Sequence, residues 1–175
     1  MTKSDFHLIV TALNEADVSF LLVGGLAVVE HGYGRNTFAV DLVVRLTPDS
    51  VVRAFAALAR IGYQPKVPIT PEEFAHPEKR RHLIEEKGMK VLNFWSDQHR
   101  ETPLDIFVTE PFDFMSEYRQ SEEREVAPGV VVRVVSLQTL FAMKREANRP
   151  KDLADLDELS LLHGLPSSYD DPERS

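Results

Sequence analysis

The spacing of apolar residues along the chain predicts helices that alternate with short buried strands. Between Phe6 and Ala16, apolar side chains recur every three or four residues, which is the pattern of a helix lying on a core. Ser19–Val23 is instead a nearly continuous apolar run, as expected for a strand buried on both faces. Four later runs rich in apolar and β-branched residues predict further strands: Phe38–Leu46, Lys90–Ser96, Leu104–Val108 and Val130–Val135.

Helices are predicted between these strands and near the end of the chain. Proline in the first turn favours a helix start, so the segment that begins at Pro48 should be helical as far as Ala59. Residues 64–78 contain four prolines, which favours a flexible flap with at most short helices opening at Pro71 and Pro77. The other predicted helices are Leu26–His31, Leu137–Ala147 and Lys151–His163.

This order of elements predicts an α/β or α+β domain in which helices flank a mixed sheet of about five strands. We expect one domain over residues 1–163 and a frayed tail over residues 164–175. A chain of 175 residues, 43% of them hydrophobic, is long enough to bury one continuous core. No apolar run approaches the ~20 residues that cross a bilayer, and the first residues do not resemble a signal peptide. We therefore expect a cytoplasmic protein without a membrane partner.

Charge and cysteine content narrow the chemistry that the chain can perform. Its 28 acidic residues outnumber 20 basic ones, and the formal net charge of −8 opposes sequence-independent binding to a polyanion. A nucleic acid would bind only at a local basic patch, and Phe94, Trp95 and Phe107 are expected in the core rather than as base-stacking surfaces. Because the chain has no cysteine, thiolate zinc sites and cysteine nucleophiles are excluded.

Two aspartates lie inside predicted strands, where an unpaired carboxylate is costly to bury. Asp41 follows Val40 in one apolar run, and Asp105 follows Leu104 in another. A cationic partner at a sheet edge would explain either aspartate alone as well as a functional role does. The pair is best explained by adjoining strands whose carboxylates bind a hard divalent cation such as Mg²⁺.

A glycine pair, Gly24-Gly25, separates the first predicted strand from the helix that follows. Glycine permits close approach of a ligand, so backbone N–H groups at such a turn can contact a phosphate. Taken alone, the pattern favours an ordinary tight turn. Together with Asp41 and Asp105, it favours a functional site.

These segments resemble the minimal nucleotidyltransferases of the polymerase-beta-like superfamily, and most closely the AbiEii-type toxin nucleotidyltransferases. The resemblance extends over about residues 18–162 and implies transfer of a nucleoside monophosphate from an NTP to a hydroxyl acceptor, with Mg²⁺ as cofactor. The acceptor would be an RNA end, a protein or a small molecule, and an antitoxin protein is an implied partner. The matching segments are Val23–Ala27, His31-Gly32, Arg35–Thr37, Val40–Leu42, Leu104–Phe107, Lys144 and Arg149–Leu156.

The resemblance also implies roles for individual residues. Asp41 and Asp105 would bind Mg²⁺ and act in catalysis with Lys144, whose other interpretation is a solvated cation at a helix end. Asp152 would orient Lys144 or the attacking group, or would cap the last helix. The residues expected to contact the nucleotide are Gly24, Gly25, Arg35, Thr37, Lys144 and Asp152.

The chain departs from the family pattern at Ala39. The family has Asp-x-Asp in this strand, and Ala39 stands where the first aspartate is expected, two residues before Asp41. A methyl group offers no lone pair to Mg²⁺, so we expect impaired or absent catalysis. A natural loss and an introduced substitution both explain Ala39. The alternative function is a non-catalytic module of the same fold that binds a nucleotide or a partner protein.

Overall fold

A computed structural model describes residues 1–166, in which seven strands form one mixed sheet. The strands are β1 Phe20–Val23, β2 Val40–Val44, β3 Gln64–Pro65, β4 Val91–Trp95, β5 Leu104–Phe107, β6 Glu122–Ala127 and β7 Val130–Val134. Their order across the sheet is β3-β4-β5-β2-β1-β7-β6. Strand β2 pairs parallel with β5, β1 pairs parallel with β7, and the other pairs are antiparallel.

Eight helices connect the strands within the described residues. They are α1 Lys3–Glu15, α2 Gly24–Glu30, α3 Pro48–Arg60, α4 Pro71–Ala75, α5 Pro77–Lys87, α6 Phe114–Gln120, α7 Leu137–Ala147 and α8 Pro150–His163. Helices α1, α3, α4 and α5 contact one another in sequence, whereas α2 contacts α7 and α7 contacts α8. None of the helices in this part of the chain is long and apolar enough to cross a membrane.

The predicted mixed sheet flanked by helices is confirmed, but the predicted strand number is wrong, because seven strands form the sheet instead of about five. Both additional strands lie at sheet edges: β3 has two residues, and β6 has the sequence Glu-Glu-Arg-Glu-Val-Ala. An edge strand pairs on one side only and can carry charges, so it shows no apolar run. The helix α6 was also not predicted.

Several predicted boundaries shift. Helix α2 begins at Gly24 rather than Leu26. The second strand, β2, begins at Val40 rather than Phe38, and the Phe38 side chain is 78% exposed. In the proline-rich segment, the helices that open at Pro71 and Pro77 are confirmed, and α5 is longer than expected because it continues to Lys87. Most of the predicted tail, residues 164–175, lies outside the described residues.

The hydrophobic core packs against one face of β2, β4 and β5. Along β4, Leu92 and Phe94 are buried while Asn93 and Trp95 are exposed, as the two-residue period of a strand requires. Phe94 meets Phe55 of α3 edge to face, with 5.2 Å between ring centroids. The opposite face of β4, β5 and β2 is therefore left available to polar side chains.

The alternation along β4 can be tested by comparing two adjacent positions. Phe94→Ala should lower the free energy of unfolding by about 3–5 kcal/mol, because Phe94 is buried and the cavity would not collapse fully. Trp95→Ala, on the other face, should cost clearly less. Urea denaturation of both variants measures the two losses, and equal losses would contradict the described facing of β4.

Candidate functional site

Two carboxylates lie side by side at the centre of the sheet. Asp41 of β2 and Asp105 of β5 are register partners in the parallel pair, so their side chains project from the same face. Asn93 of β4 is the register partner of Asp105 on its other side, and its amide Nδ2 donates to Asp105 Oδ1 at 2.6 Å. The prediction that the two aspartate strands adjoin, with both carboxylates on one face, is confirmed.

The glycine turn contacts Asp41 directly. Gly24 has φ +66°, and a Cβ at this residue would lie 2.2 Å from Asp41 Oδ2. The backbone N–H of Gly25 donates to the Asp41 carboxylate, and a Cβ on Gly25 would lie 2.5 Å from Thr37 Oγ1. Glycine is thus required at both positions because the turn packs against site residues, in addition to the left-handed backbone of Gly24.

Burial and the adjacent carboxylate raise the pKa of Asp41 to about 6. Burial is the larger cause, and the negative charge of Asp105 adds to it; the Gly25 N–H and the positive charges of Lys144 and Lys151 act in the opposite direction. Two carboxylates at one register position of adjacent strands favour a cation between them, because a divalent ion would stabilise the ionised form of both.

Lys144 is buried in an ion-pair network beneath the site. Its side chain is 5% exposed, and Nζ lies 2.6 Å from Asp155 Oδ2 and 3.1 Å from Asp152 Oδ1. The interpretation of Lys144 as a solvated helix-end cation is therefore wrong. The proposed contact between Asp152 and Lys144 is present, whereas the second partner of Lys144, Asp155, was not predicted.

Asp152 combines two of the roles considered for it. It accepts hydrogen bonds from Lys144 Nζ, and its Oδ2 accepts from the backbone N–H of Arg149 at 3.2 Å, which caps α8. Arg149 Nε also donates to Asp152 Oδ2 at 2.6 Å. Burial alone would raise the pKa of Asp152, but the hydrogen bonds from Arg149 and Lys144 outweigh it and lower the pKa.

Arg35 and Thr37 lie at the edge of the same network. Arg35 Nε is 2.7 Å from Asp155 Oδ1, and its Nη2 donates to Asp155 Oδ2 at 3.0 Å. Thr37 Oγ1 donates to the carbonyl oxygen of Ala39 at 3.4 Å. Asp155 was not among the predicted site residues, although its position three residues after Asp152 places both on one helix face.

Lys151 is the exposed cation at this end of the site. It lies in the first turn of α8, its charge acts on the Asp41 carboxylate, and it forms no ion pair within residues 1–166. Lys144, Arg35 and Arg149 are each paired with an aspartate of α8. Lys151 is therefore available to an anionic ligand, whereas the other three cations are already neutralised.

Few side chains at the site can bind a metal ion. Asp41 and Asp105 are the two carboxylates at the site, and no group of three or more His, Asp or Glu suited to a metal occurs within residues 1–166. Ala39, half-buried and directly before the first residue of β2, supplies no ligand. Two carboxylates still fit one Mg²⁺, since this ion takes one or two carboxylates together with water and substrate phosphates.

Comparison with known proteins supports the fold. No protein-family model and no curated protein matches the chain. Among solved structures, the chain is similar to the "putative nucleotidyltransferase (TM1012)" of Thermotoga maritima, with 14% sequence identity, a TM-score of 0.51 and coverage of 86% of each chain. The chain thus has a nucleotidyltransferase-like fold, and at this identity the similarity concerns the fold alone.

The burial of Lys144 predicts a structural effect of its removal. Lys144→Ala should lower the free energy of unfolding by about 3 kcal/mol, because Asp152 and Asp155 lose a buried cation. Lys151→Ala, at an exposed neighbour, should change it by less than about 0.5 kcal/mol. Urea denaturation at neutral pH compares the variants, and similar values for both would contradict the network.

The contact between Gly24 and Asp41 predicts a second contrast. Gly24→Ala should destabilise the protein by about 1–3 kcal/mol, because alanine disfavours the left-handed backbone and its Cβ meets the Asp41 carboxylate. Gly34→Ala is the matched control, since a Cβ there meets nothing within 4 Å. The thermal unfolding midpoints of both variants provide the test. A Gly24→Ala variant that is as stable as Gly34→Ala would contradict the contact between this turn and Asp41.

Proposed function

We propose that the chain is a Mg²⁺-dependent nucleotidyltransferase whose activity is limited by Ala39. The observation that carries this proposal is the in-register pair Asp41 and Asp105 beside the Gly24-Gly25 turn. The nucleotidyltransferase-like fold supports the same class of reaction. In it, the acceptor hydroxyl oxygen bonds to the α-phosphorus of an NTP, pyrophosphate leaves, and the hydroxyl proton is released to water.

In this proposal Asp41 and Asp105 hold Mg²⁺, and Asn93 fixes the orientation of Asp105 through its amide. When bound, the ion neutralises phosphate charge and lowers the pKa of a coordinated hydroxyl. Asp41 is held in place by the Gly25 N–H, so that its carboxylate is oriented before a ligand arrives. The missing carboxylate at Ala39 leaves fewer ligands for the same task.

Contacts with the triphosphate are assigned to the Gly24-Gly25 turn and to Lys151. The turn offers close approach, and Lys151 offers an exposed ammonium without a competing ion pair in the described part of the chain. Lys144 and Arg35 are assigned a positioning role, because both hold α8 through Asp155. With Asp152 capping α8, these contacts fix where Lys151 stands relative to Asp41.

The finer assignment is to the AbiEii-type toxin nucleotidyltransferases, with an antitoxin protein as partner in the cytoplasm. The combination of matching segments from Val23–Ala27 to Arg149–Leu156 supports this assignment. In this proposal the acceptor of the nucleotide binds on the side of the sheet that carries Trp95.

Ala39 favours a second candidate, a module that binds a nucleotide or partner protein without catalysis. Such a module needs the glycine turn and Lys151 but not a full set of metal ligands. The two candidates differ in how they respond to a restored carboxylate.

Ala39→Asp should raise Mg²⁺-dependent transfer by roughly 100-fold or more, because a ligand that stabilises transition-state charge is restored. Incorporation of label from each α-³²P-labelled NTP into cell RNA and protein provides the measurement. Asp41→Asn in the Ala39→Asp background is the control and should return transfer to background. Labelling that stays at background for both the parent chain and Ala39→Asp, with or without Mg²⁺, would favour the binding module.

A further inference from the structure

Trp95 is exposed on the face of the sheet that carries the carboxylates. Its side chain is 40% exposed, so the prediction that it lies in the core is wrong, whereas Phe94 is buried as predicted. Trp95 follows Asn93 by two residues and therefore projects from the same face as Asn93 and Asp105. A large aromatic ring thus lies on the same face of the sheet as the candidate metal ligands.

A cleft of about 820 Å³ lies at this ring, between β4 and the loop that leads to β5. The Trp95 cleft is lined by Lys66, Trp95, Asp97, His99, Arg100 and Pro103, together with Ser96. Pro103 directly precedes the β5 residue that pairs with Val40, and its carbonyl oxygen accepts from the Val40 backbone N–H at 3.0 Å, so this wall of the cleft lies close to the start of β2. Its lining residues Trp95 and Pro103 each lie two residues along the chain from a site residue, Asn93 and Asp105 respectively.

The cleft carries positive charge that a phosphate can use. Lys66 is exposed and forms no ion pair within residues 1–166. Arg100 Nη2 lies 3.2 Å from Asp97 Oδ1, but both side chains are more than two-thirds exposed. Such an exposed pair is weak, so a phosphate can replace Asp97 as the partner of Arg100.

The wall of the cleft is fixed before any ligand binds. His99 Nδ1 is 2.7 Å from Asp5 Oδ1 of α1, and Thr102 Oγ1 donates to Asp5 Oδ2 at 2.7 Å. The ring of Tyr63 stacks on His99 with centroids 5.6 Å apart. These contacts tie the loop of residues 96–103 to α1, which reduces the ordering cost of binding.

We infer that the Trp95 cleft binds an unpaired nucleotide, with its base stacked on Trp95 and its phosphate at Lys66 or Arg100. Aromatic stacking accepts every base, and cations beside the ring hold the backbone. The inference rests on the proposed function. In the sheet, β4 lies on one side of the two carboxylates, whereas β1 and the Gly24-Gly25 turn lie on the other. The donor triphosphate occupies the turn, so the nucleotide at Trp95 belongs to the acceptor.

Trp95 is the single tryptophan of the chain, so its fluorescence reports on this cleft alone. We would titrate the protein, without Mg²⁺, with a single-stranded RNA octamer, with the same RNA as a duplex, and with ATP and GTP. Single-stranded RNA should quench the fluorescence saturably and more tightly than the duplex or the mononucleotides. Quenching by mononucleotides alone would overturn the acceptor assignment, and the absence of quenching by any nucleotide would overturn the site.

Variants separate stacking from charge, with anisotropy of fluorescein-labelled octamer as the readout. Trp95→Ala should weaken RNA binding by about tenfold or more, and Trp95→Phe should retain part of the affinity because a ring remains. Lys66→Ala should weaken binding and reduce the salt dependence by about one phosphate contact. Lys87→Ala and Leu161→Ala, at exposed residues away from the cleft, are the controls and should bind as the parent does.

These measurements are independent of catalysis. Nucleotide transfer by the Ala39→Asp form together with unchanged RNA affinity in Trp95→Ala would refute the cleft and leave the proposed function intact. Loss of RNA binding in Trp95→Ala, with no transfer by Ala39→Asp, would support the cleft while the proposed enzyme activity fails. Circular dichroism of Trp95→Ala and Trp95→Phe checks that both variants are folded.

Discussion

The parallel pairing of β2 with β5 places Asp41 and Asp105 at one register position, and the rest of the site follows from this pair. Burial disfavours the ionised carboxylate of Asp41, and repulsion by the negative charge of Asp105 adds to this cost, so the pKa of Asp41 is raised. The surroundings offset part of that cost through the Gly25 N–H and the lysines near α8. In the proposed function, a bound divalent cation offsets much more of it.

Helix α8 provides the second layer of this arrangement. Asp152 and Asp155 are buried on one side of the helix and are paired with Lys144, Arg35 and Arg149. Removing one member leaves a buried charge without its partner, so the network is sensitive to single substitutions. The network also holds the first turn of α8, which carries Lys151, whose charge acts on the Asp41 carboxylate.

Burial explains which features the sequence predicted and which it did not. Strands such as β1 are buried throughout and give apolar runs, whereas the charged edge strand β6 gives none. Asp41 and Asp105 were recognisable because a carboxylate within a buried strand is unusual. The exposure of Trp95 follows from the alternation along β4, in which polar Asn93 marks the outer face, but the large apolar ring favoured the core. The burial of Lys144 depends on Asp155 as well as Asp152, and the resemblance implied a contact with Asp152 only.

The central claim is that the Asp41 and Asp105 pair binds a divalent cation while the adjacent glycine turn receives a triphosphate. A crystal structure with Mn²⁺ and a non-hydrolysable NTP measures both at once, because Mn²⁺ is identified by its anomalous scattering. We expect an anomalous peak within coordination distance of both carboxylates, about 2.0–2.2 Å from their oxygens, and the triphosphate between Gly24-Gly25 and Lys151. An ion bound elsewhere, or a nucleotide that does not contact the turn, would contradict the claim.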